Sequence, residues 1–408
     1  MAAAPWIGSH PKAISPRHIC VITETYPPEV NGVAFTVAHL VDGLSARGHA
    51  VSVVRPRQQA SDRPGCSCGP NVTLVHSLPF PWYKELQVGI PAGGLLGSCW
   101  RQHPPDVVYV ATPGPLGWSA VRTARRLEIP VLSGFHTNFH SYSHYYGAGW
   151  LQPVIVRCLR RFHNRTHGTL VPSIDLRDRL QGAGFKNVHV LDRGVDSQLF
   201  SPERRCPILR SSWGISDTGL AALYVGRIAP EKNLRVAVAA YRTMQQFSNS
   251  SKFIIVGDGP FRTTLQREHP NLIFCGLHTG EDLARHYASA DVFLFPSETE
   301  TFGNVTLEAM ASGLVVVAYD YAAARMHVTH GETGVLVPCG ESQAFVDAVA
   351  NLAHAPQSLP KIRWQARAYA RSITWPHVVE KFETLLTGAL ARGHAAPSAL
   401  RTRRGMAI

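Results

Sequence analysis

ADVFLFPSETETFGNVTLEAMASG, residues 290–313, contains a strand, a turn and a helix in immediate succession. DVFLFPS is a continuous apolar run, which predicts a strand buried on both faces, and VTLEAMASG predicts a helix that ends at Gly313. Such a strand is typical of a parallel sheet with helices packed outside it. The stretch therefore predicts an α/β fold, and it places three glutamates, at 298, 300 and 308, around the turn.

The same alternation of apolar strand and helical segment recurs along the chain. The segments that predict strands in the first half are HICVITETYPP, VSVVRP, DVVYVATP, PVLSGFHT, GTLVPS and VHVLDR. The pattern restarts after a polar, Pro-containing connector near residues 197–210, with ALYVGR, FIIVGDG, LIFCG, DVFLFPS and VVVAYD. Two α/β domains are the economical interpretation, and ligands in such sheets bind beyond the carboxyl ends of the strands.

Length, charge and cysteine content narrow the class of protein. A chain of 408 residues is too long for one ordinary core. Its formal charge is +12, with 19 Lys/Arg against 11 Asp/Glu in residues 1–200 and 21 against 17 in the remainder. A phosphorylated substrate or an anionic membrane face would explain this excess of positive charge, and so would solubility alone. No basic-aromatic module indicates nucleic acid.

We find no transmembrane run, no signal peptide and no Cys-x-x-Cys pair, so we expect a cytoplasmic protein with free thiols.

The motif YVGRIAPEKN predicts a diphosphate site. Gly226 follows the strand and allows the backbone to turn, and Arg227 and Lys232 then project from the loop above the sheet. Two cations five residues apart can grip a diphosphate from two sides. The alternative is that Arg227 lies on the surface and that Lys232 pairs with Glu231.

Gly257 of FIIVGDGP also follows a strand, where a glycine allows a ligand to approach the backbone closely. A plain strand-to-helix turn is the alternative. The segment lacks the complete G-x-G-x-x-G pattern, which argues against hydride-transfer chemistry.

The helix start in the opening stretch predicts a phosphate seat beside sugar-binding carboxylates. Gly303, Asn304 and Val305 form the turn and the first helical residues, where backbone N–H groups attract anions. Glu308 would repel a phosphate, but it can accept hydrogen bonds from ribose hydroxyls, and Glu300 can do so for a second sugar. The alternative is that the helix dipole alone favours these carboxylates.

The first half supplies the facing wall of the expected cleft. Gly32 lies just before a helix start and can approach a phosphate, unless it only forms a turn. His136 ends a strand and is interpreted as a sugar contact or a proton-handling group, with a purely structural role as the alternative. His140 and His144 have a spacing that suggests a metal pair, but no third ligand stands out. The chain also lacks Asp-x-Asp, so we expect no metal and no cofactor beyond the nucleotide-sugar substrate.

Together these motifs resemble the retaining glycosyltransferases of family 4. The resemblance is carried by GRIAPEKN, VGDGP, residues 290–313 and GETGVLV, and it covers roughly residues 18–390. It implies the GT-B fold, two Rossmann-like domains that face each other across a cleft. It further implies that Glu300 and Glu308 contact donor sugar and ribose, that Arg227 and Lys232 hold the diphosphate, and that His136 lies near the donor sugar.

The same resemblance implies a division of the chain. The expected parts are a flexible leader at 1–17, an acceptor-side domain at 18–200, a nucleotide-sugar-binding domain at 201–372, a helix at 373–392 that crosses back to the first domain, and a disordered basic tail at 393–408.

ETYPPEVNGV, FHTNFHSY and AYDYAAAR are similar to GDP-mannose-dependent α-mannosyltransferases and to sulfoquinovosyl- and glucuronosyl-diacylglycerol synthases. This implies transfer of a hexose, mannose from GDP-mannose before a UDP-hexose, to a lipid or glycan acceptor. The base would be contacted by backbone near Cys275 and Gly276. Met326 departs from the subgroup, which often has an acidic residue there. A GT-B epimerase or phosphorylase is the alternative of another class.

LQPVIVRCLRRFHNRTHG, residues 151–168, places four arginines at helical spacing, Arg157, Arg160, Arg161 and Arg165. Such a helix can lie on an anionic bilayer, which suits a lipid acceptor and a peripheral position on the cytosolic membrane face. The alternative is a core helix with a solvated cationic face.

Overall fold

The computed structural model describes residues 15–29, 31–58, 62, 71–80, 83–136, 152–215, 219–247 and 249–395. Several predictions concern residues outside these ranges: most of the leader and the tail, Cys66, Cys68, His140 and His144. The six described cysteines are free thiols. Among the described residues, no helix is both long and apolar enough to cross a membrane.

The first domain is built on a seven-stranded parallel sheet with the order β3-β2-β1-β6-β7-β8-β9. Its strands are β1 (His18–Ile22), β2 (Ala50–Pro56), β3 (Asn71–Val75), β6 (Val107–Val110), β7 (Val131–Gly134), β8 (Gly168–Val171) and β9 (Val188–Val190). An antiparallel hairpin of β4 (Ser77–Phe80) and β5 (Tyr83–Gly89) is inserted after β3. The described helices are α1 (Gly32–Ala46), α2 (Gly93–Gln102), α3 (Pro115–Arg126), α4 (Gln152–His163) and α5 (Ile174–Gly182).

The second domain is built on a six-stranded parallel sheet with the order β12-β11-β10-β13-β14-β15. Its strands are β10 (Ala221–Val225), β11 (Lys252–Val256), β12 (Ile273–Gly276), β13 (Val292–Phe295), β14 (Val315–Tyr319) and β15 (Gly334–Val337). Its helices are α6 (Pro207–Ser212), α7 (Leu234–Phe247), α8 (Arg262–Glu268), α9 (Gly280–Ser289), α10 (Asn304–Ala311), α11 (Ala322–His327), α12 (Ser342–His354) and α13 (Leu359–Ala370).

Continuous apolar strands explain why both sheets are covered on two faces. All four residues of β6 and of β13 are buried, and every pairing within the two large sheets is parallel. Parallel strands need helical crossovers, and these place a layer of helices on each face. The predicted α/β fold with two domains is confirmed. Pattern analysis missed β3, the hairpin and β15, which are short or only partly buried.

The last helix, α14 (Trp375–Ala395), packs on the first domain although it follows the second in the chain. Trp375, Val379 and Phe382 belong to the same apolar cluster as β1 and α1. Glu383 of this helix accepts hydrogen bonds from His49 (2.8 Å) and Arg47 (2.7 Å) of the first domain. The helix thereby ties the end of the chain to the first domain.

One boundary needs correction. The helix continues through Gly393 to Ala395, three residues into the segment expected to be disordered. The other domain boundaries stay predictions.

Candidate functional site

Three predicted glycines form a row at the carboxyl ends of neighbouring strands. The N–H of Gly226, after β10, donates to the carbonyl of Val256 at 3.0 Å, and that of Gly257 donates to Gly276 at 2.7 Å. All three glycines have positive φ, at 148°, 132° and 79°. A Cβ on Gly257 would overlap the carbonyl oxygen of Gly226. Glycine at 257 is therefore already required by backbone packing, whatever the ligand.

Arg227 is held at the edge of this row by a buried carboxylate. Its guanidinium donates to Glu231, whose side chain is 1% exposed while that of Arg227 is 39% exposed. The alternative interpretation of YVGRIAPEKN paired Glu231 with Lys232, whereas the structure pairs Glu231 with Arg227. The second oxygen of Glu231 has no hydrogen-bond partner in the described part of the chain. Glu231 thus anchors the arginine and leaves its outer face accessible.

Lys232 meets the first of the predicted sugar-binding glutamates. Its ammonium group donates to Glu300 and lies 3.4 Å from the hydroxyl of Ser297, which itself donates to Glu300 at 2.8 Å. The ammonium also lies 6.0 Å from the centre of the Phe295 ring. The fold therefore brings together two residues, 68 positions apart, that the sequence analysis assigned to adjacent parts of one ligand.

Glu308 lies in the second turn of α10 and has one strong hydrogen bond, from the hydroxyl of Tyr287 at 2.9 Å. Burial raises the pKa of the Glu308 carboxyl to about 7, although this hydrogen bond acts in the opposite direction. Glu308 lines a narrow crevice between the domains together with Phe35, Asp196 and Asn304. A carboxyl so placed is suited to accept hydrogen bonds from a ligand between the domains.

The start of α10 has the geometry expected of a phosphate seat. Gly303 precedes it with φ 95°, a left-handed conformation that favours glycine. The first N–H groups of any helix have no intrahelical partner, and here they belong to Asn304 and Val305. The facing wall is formed by α1, where the Asn31 side chain accepts from the N–H groups of Val33 and Ala34.

Gly32 differs from Gly257 in its surroundings. It is exposed, and a Cβ there would meet nothing within 4 Å. Packing therefore does not explain glycine at this position, and its proposed approach to a phosphate stays a prediction.

His136 requires a correction. It was expected to present its ring to the cleft, but it is 8% exposed and both ring nitrogens are engaged inside the first domain. Nε2 lies 2.7 Å from the hydroxyl of Tyr109, and Nδ1 lies 2.6 Å from Arg193. Burial, the Arg193 charge and His163 together hold the pKa of His136 well below its ordinary value. Its contact with the donor sugar stays a prediction.

Sequence analysis missed Arg193, Tyr287 and Ser297. Arg193 follows β9 in LDRGVD and is a polar residue just after a strand, so the rule applied to the other motifs would have selected it. Tyr287 lies within α9, and no sequence pattern pointed to it, because its role depends on which face of that helix meets α10.

The two domains also touch beside Glu300. Arg325 of α11 bonds Asp175 of α5 at 2.8 Å, and Arg179 of α5 bonds the hydroxyl of Tyr321 at 3.1 Å. That hydroxyl donates to the carbonyl of Glu300 at 3.1 Å. The neighbouring Met326 packs against the core of the second domain, so its side chain belongs to the packing there.

Within the described ranges, no group of three histidines, cysteines or carboxylates could hold a metal ion. Metal independence stays a prediction, because residues 137–151, with two further histidines, lie outside those ranges.

Comparison with known proteins gives consistent matches in both domains. Residues 30–199 match the model of Glycosyltransferase Family 4, and residues 220–355 match Glycosyl transferases group 1. The chain is similar to a GDP-mannose-dependent alpha-mannosyltransferase of Mycobacterium tuberculosis (strain CDC 1551 / Oshkosh), with 34% identity covering 89% of this chain and 94% of that protein.

The chain is also similar to the sulfoquinovosyl transferase SQD2 of Arabidopsis thaliana, at 29% identity over 90% of this chain and 72% of that protein. Among solved structures, Anabaena Alr3699/HepE in complex with UDP has a TM-score of 0.71 and 18% identity, covering 91% of this chain and 100% of that chain. The last similarity concerns the fold.

Proposed function

The chain belongs to glycosyltransferase family 4, and from this premise we propose that it transfers mannose from GDP-mannose to a lipid or glycan acceptor with retention of the α configuration. The observation that carries the proposal is the convergence of Arg227, Lys232, Glu300 and Glu308 at the carboxyl edge of the second sheet. Cations there suit a diphosphate, and carboxylates suit sugar hydroxyls.

The residues of this edge would divide the donor between them. Arg227 and the N–H groups at the start of α10 would neutralise the diphosphate, with Lys232 shared between phosphate and Glu300. Glu308 would accept from the ribose hydroxyls while Tyr287 holds its other oxygen. Glu300 would accept from the transferred sugar. Electrostatic stabilisation of the departing diphosphate is then the main contribution of the protein to catalysis.

The bond changes balance without a protein nucleophile. The bond between the sugar C1 and the phosphate oxygen breaks, and a bond between C1 and the acceptor oxygen forms on the same face of the sugar. The acceptor hydroxyl proton passes to the departing phosphate oxygen. The products are the α-glycoside and the nucleoside diphosphate, and the positive groups at Arg227 and Lys232 stabilise the latter as it leaves.

Thermal unfolding with GDP, UDP, ADP, GDP-mannose and UDP-glucose, in buffer with a metal chelator, tests the donor. A ligand at one hundred times its Kd stabilises by about 2.7 kcal/mol, which is readily measured as a rise in Tm. We expect GDP and GDP-mannose to stabilise the wild type. We expect neither ligand to stabilise Arg227→Ala. Stabilisation by the uridine ligands alone would assign the chain to the UDP-sugar glycolipid synthases, and stabilisation by none would refute the donor site.

Product analysis separates the transferase from an epimerase. Incubation of the enzyme with GDP-mannose and an alkyl α-mannoside should release GDP and a longer mannoside in equal amounts. An epimerase would change the sugar nucleotide and release no GDP.

We also propose that an arginine-rich face of the first domain lies on anionic membranes. Trp118, Val121, Arg122, Arg125, Arg161 and Arg165 line a cavity of about 530 Å³ between α3 and α4. In the described part of the chain, none of these four arginines forms an ion pair. Val154 of α4 is also 63% exposed, although Leu159 and Phe162 pack inward as the core-helix alternative predicts. Exposed apolar and unpaired cationic groups together favour an anionic bilayer surface.

Vesicle flotation tests this face. We expect binding to phosphatidylglycerol vesicles, no binding to phosphatidylcholine vesicles, and loss of binding when Arg122, Arg125, Arg161 and Arg165 are changed to glutamine. The matched control changes four exposed arginines that are ion-paired elsewhere, Arg17, Arg177, Arg235 and Arg285. Equal loss in both variants would mean that total charge, and not this face, governs binding.

A further inference from the structure

Three buried side chains form a continuous hydrogen-bonded chain under the cleft edge of the first sheet. Arg193, after β9, donates from Nη2 to Nδ1 of His136 at 2.6 Å. The other ring nitrogen, Nε2, lies 2.7 Å from the hydroxyl of Tyr109 on β6. Arg193 is 4% exposed, His136 8% and Tyr109 0%. Water therefore contributes little to the arrangement of these groups.

The chemistry of arginine determines where the histidine proton lies. A guanidinium has only N–H donors and no acceptor at accessible pH. Nδ1 of His136 must therefore be the unprotonated, accepting nitrogen. In a neutral imidazole the proton then lies on Nε2, which donates to the oxygen of Tyr109. The direction of both hydrogen bonds follows from one residue, Arg193.

Arg193 is an unusual cation because, in the described part of the chain, its side chain has no hydrogen bond to a carboxylate. It forms no ion pair with any described residue, and its contacts with the carbonyls of Leu191 and Asp192 are long, at 3.4 and 3.5 Å. The adjacent carboxylate, Asp192, is 3.3 Å from Lys381 instead. A buried charge without a counter-charge costs several kcal/mol in real proteins. Packing alone therefore does not explain why the residue that follows Asp192 is an arginine.

The backbone also makes room for this arrangement. Gly134 is the last residue of β7, and a Cβ there would overlap both Nε2 of His136 and the hydroxyl of Tyr109. On the other side, the Tyr109 ring packs edge-on against Phe382 of α14, with ring centres 4.9 Å apart. The two rings thus have one available position each.

We propose that Arg193 is a positioning residue that fixes the tautomer of His136, so that His136 acts as a neutral hydrogen-bond donor through Nε2 and takes no part in acid–base catalysis. The catalytic relevance of this inference rests on the proposed glycosyltransfer. The acceptor proton must then leave by another route, and the departing diphosphate provides one.

The electrostatic surroundings agree with this role. Among the described residues, the titratable groups that face His136 are Tyr109 of β6, Arg193 after β9 and His163 of α4. None of them is an anion at neutral pH, since burial raises the pKa of Tyr109 and leaves His163 with a pKa of about 3. No ion pair links His136 to a carboxylate among the described residues.

Nitrogen NMR of protein labelled with ¹⁵N-histidine measures the tautomer directly, with His136→Gln used to assign the signal. In the wild type we expect the Nε2–H form at pH 8 and at pH 5.5. A charged ring at pH 6, or a proton on Nδ1, would overturn the proposal. This measurement needs neither donor nor acceptor, so its failure is distinct from failure of the proposed function.

Variants of Arg193 and of Tyr109 test which of the two residues determines the tautomer of His136. Tyr109→Phe removes the acceptor at Nε2 and leaves the Arg193 contact, so the Nε2–H form should persist. Arg193→Met should allow both tautomers, and the pH at which the His136 ring becomes charged should rise by about 1 unit because a positive neighbour is lost. Arg193→Lys should restore part of the wild-type preference for the Nε2–H form, and Arg177→Met, an exposed arginine of α5, should change nothing.

A tautomer switch in Tyr109→Phe, or wild-type spectra in Arg193→Met, would contradict the assignment to Arg193. If Arg193→Met does not fold, the wild-type and Tyr109→Phe spectra still decide the question.

Discussion

The two ends of strand β13 each have a carboxylate, and the two carboxylates differ in the partners that surround them. Asp291, just before the strand, accepts from Arg205 (2.9 Å), Arg210 (2.9 Å) and Arg363 (3.2 Å) and from the N–H of Ala221 (2.9 Å). Beyond the other end, Glu300 forms an ion pair with one cation of the described residues, Lys232. Burial would raise the pKa of Asp291, yet the arginines and the N–H hold it below its ordinary value.

This difference shows how the same residue types serve folding at one edge of a sheet and binding at the other. At the amino edge, three arginines saturate one carboxylate within the chain, so no capacity is left for a ligand. At the carboxyl edge, Arg227 meets Glu231 and Lys232 meets Glu300 beside the cleft, and a phosphate or a hydroxyl can take the place of a partner in these pairs. The arrangement of partners, more than the charge itself, distinguishes the two roles.

Asp291→Ala should have the largest effect, on stability. Loss of the carboxylate leaves three partly buried arginines without a counter-charge, which costs about 3–5 kcal/mol. Chemical denaturation should show this as a lower midpoint with an unchanged slope. The control Asp282→Ala removes an exposed, ion-paired carboxylate of α9 and should change stability by less than about 0.5 kcal/mol.

A small effect of Asp291→Ala would mean that the arginines find other partners, and the contrast between the two ends of β13 would lose its basis.

Arg227→Ala should have the next largest effect, but on turnover. The variant should keep its fold, because the side chain is 39% exposed, and should lose about 2–4 kcal/mol of transition-state stabilisation, roughly 30- to 1,000-fold in kcat/KM. Steady-state release of GDP measures this loss. Arg235→Ala, an exposed arginine paired with Glu268, is the matched control and should retain full activity.

Near-normal turnover in Arg227→Ala would remove the diphosphate assignment from the carboxyl edge.

Glu308→Gln should weaken nucleotide binding by about 1–2 kcal/mol, since an amide is a poorer acceptor for ribose hydroxyls than a carboxylate. Titration calorimetry with GDP at pH 8, above the pKa of about 7 of Glu308, measures the loss. At pH 6 the wild-type carboxyl is mostly protonated, so the two proteins should differ less. Glu281→Gln, on the exposed start of α9, should bind like wild type. A loss that is the same at both pH values would argue against a role for the carboxylate charge.

The effect that is smallest at neutral pH, and that grows as the pH falls, should be a loss of stability from the buried neutral histidine His327. Burial lowers the pKa of His327 to about 4, whereas the unfolded chain binds this proton near pH 6.5. Between these values only the unfolded state gains the proton, so the unfolding free energy falls as pH decreases, by up to about 1.4 kcal/mol per pH unit. His327→Asn should remove this contribution to the slope near pH 5, whereas the exposed His354→Asn should not. An identical slope in His327→Asn would show that His327 is protonated in the folded state.

Much of the candidate site could be predicted because strand ends are visible in the sequence. Gly226, Arg227, Gly257, Glu300 and Gly303 all follow apolar runs, and a parallel sheet brings such ends to one edge. Their pairing could not be predicted in the same way. Lys232 had Glu231 as its nearest carboxylate in sequence, yet it bonds Glu300, because Glu231 turns inward to Arg227.

The sequence by itself determined the two-domain α/β fold, the order of most strands and helices, and the residue types at the ends of those strands. Periodicity and turn residues act locally, so they can be interpreted without knowledge of the rest of the chain. The tertiary structure decided which charges meet and which are buried. His136 shows the difference, since its neutral state and tautomer depend on Tyr109 and Arg193, which are distant in sequence and adjacent only because β6, β7 and β9 lie in one sheet.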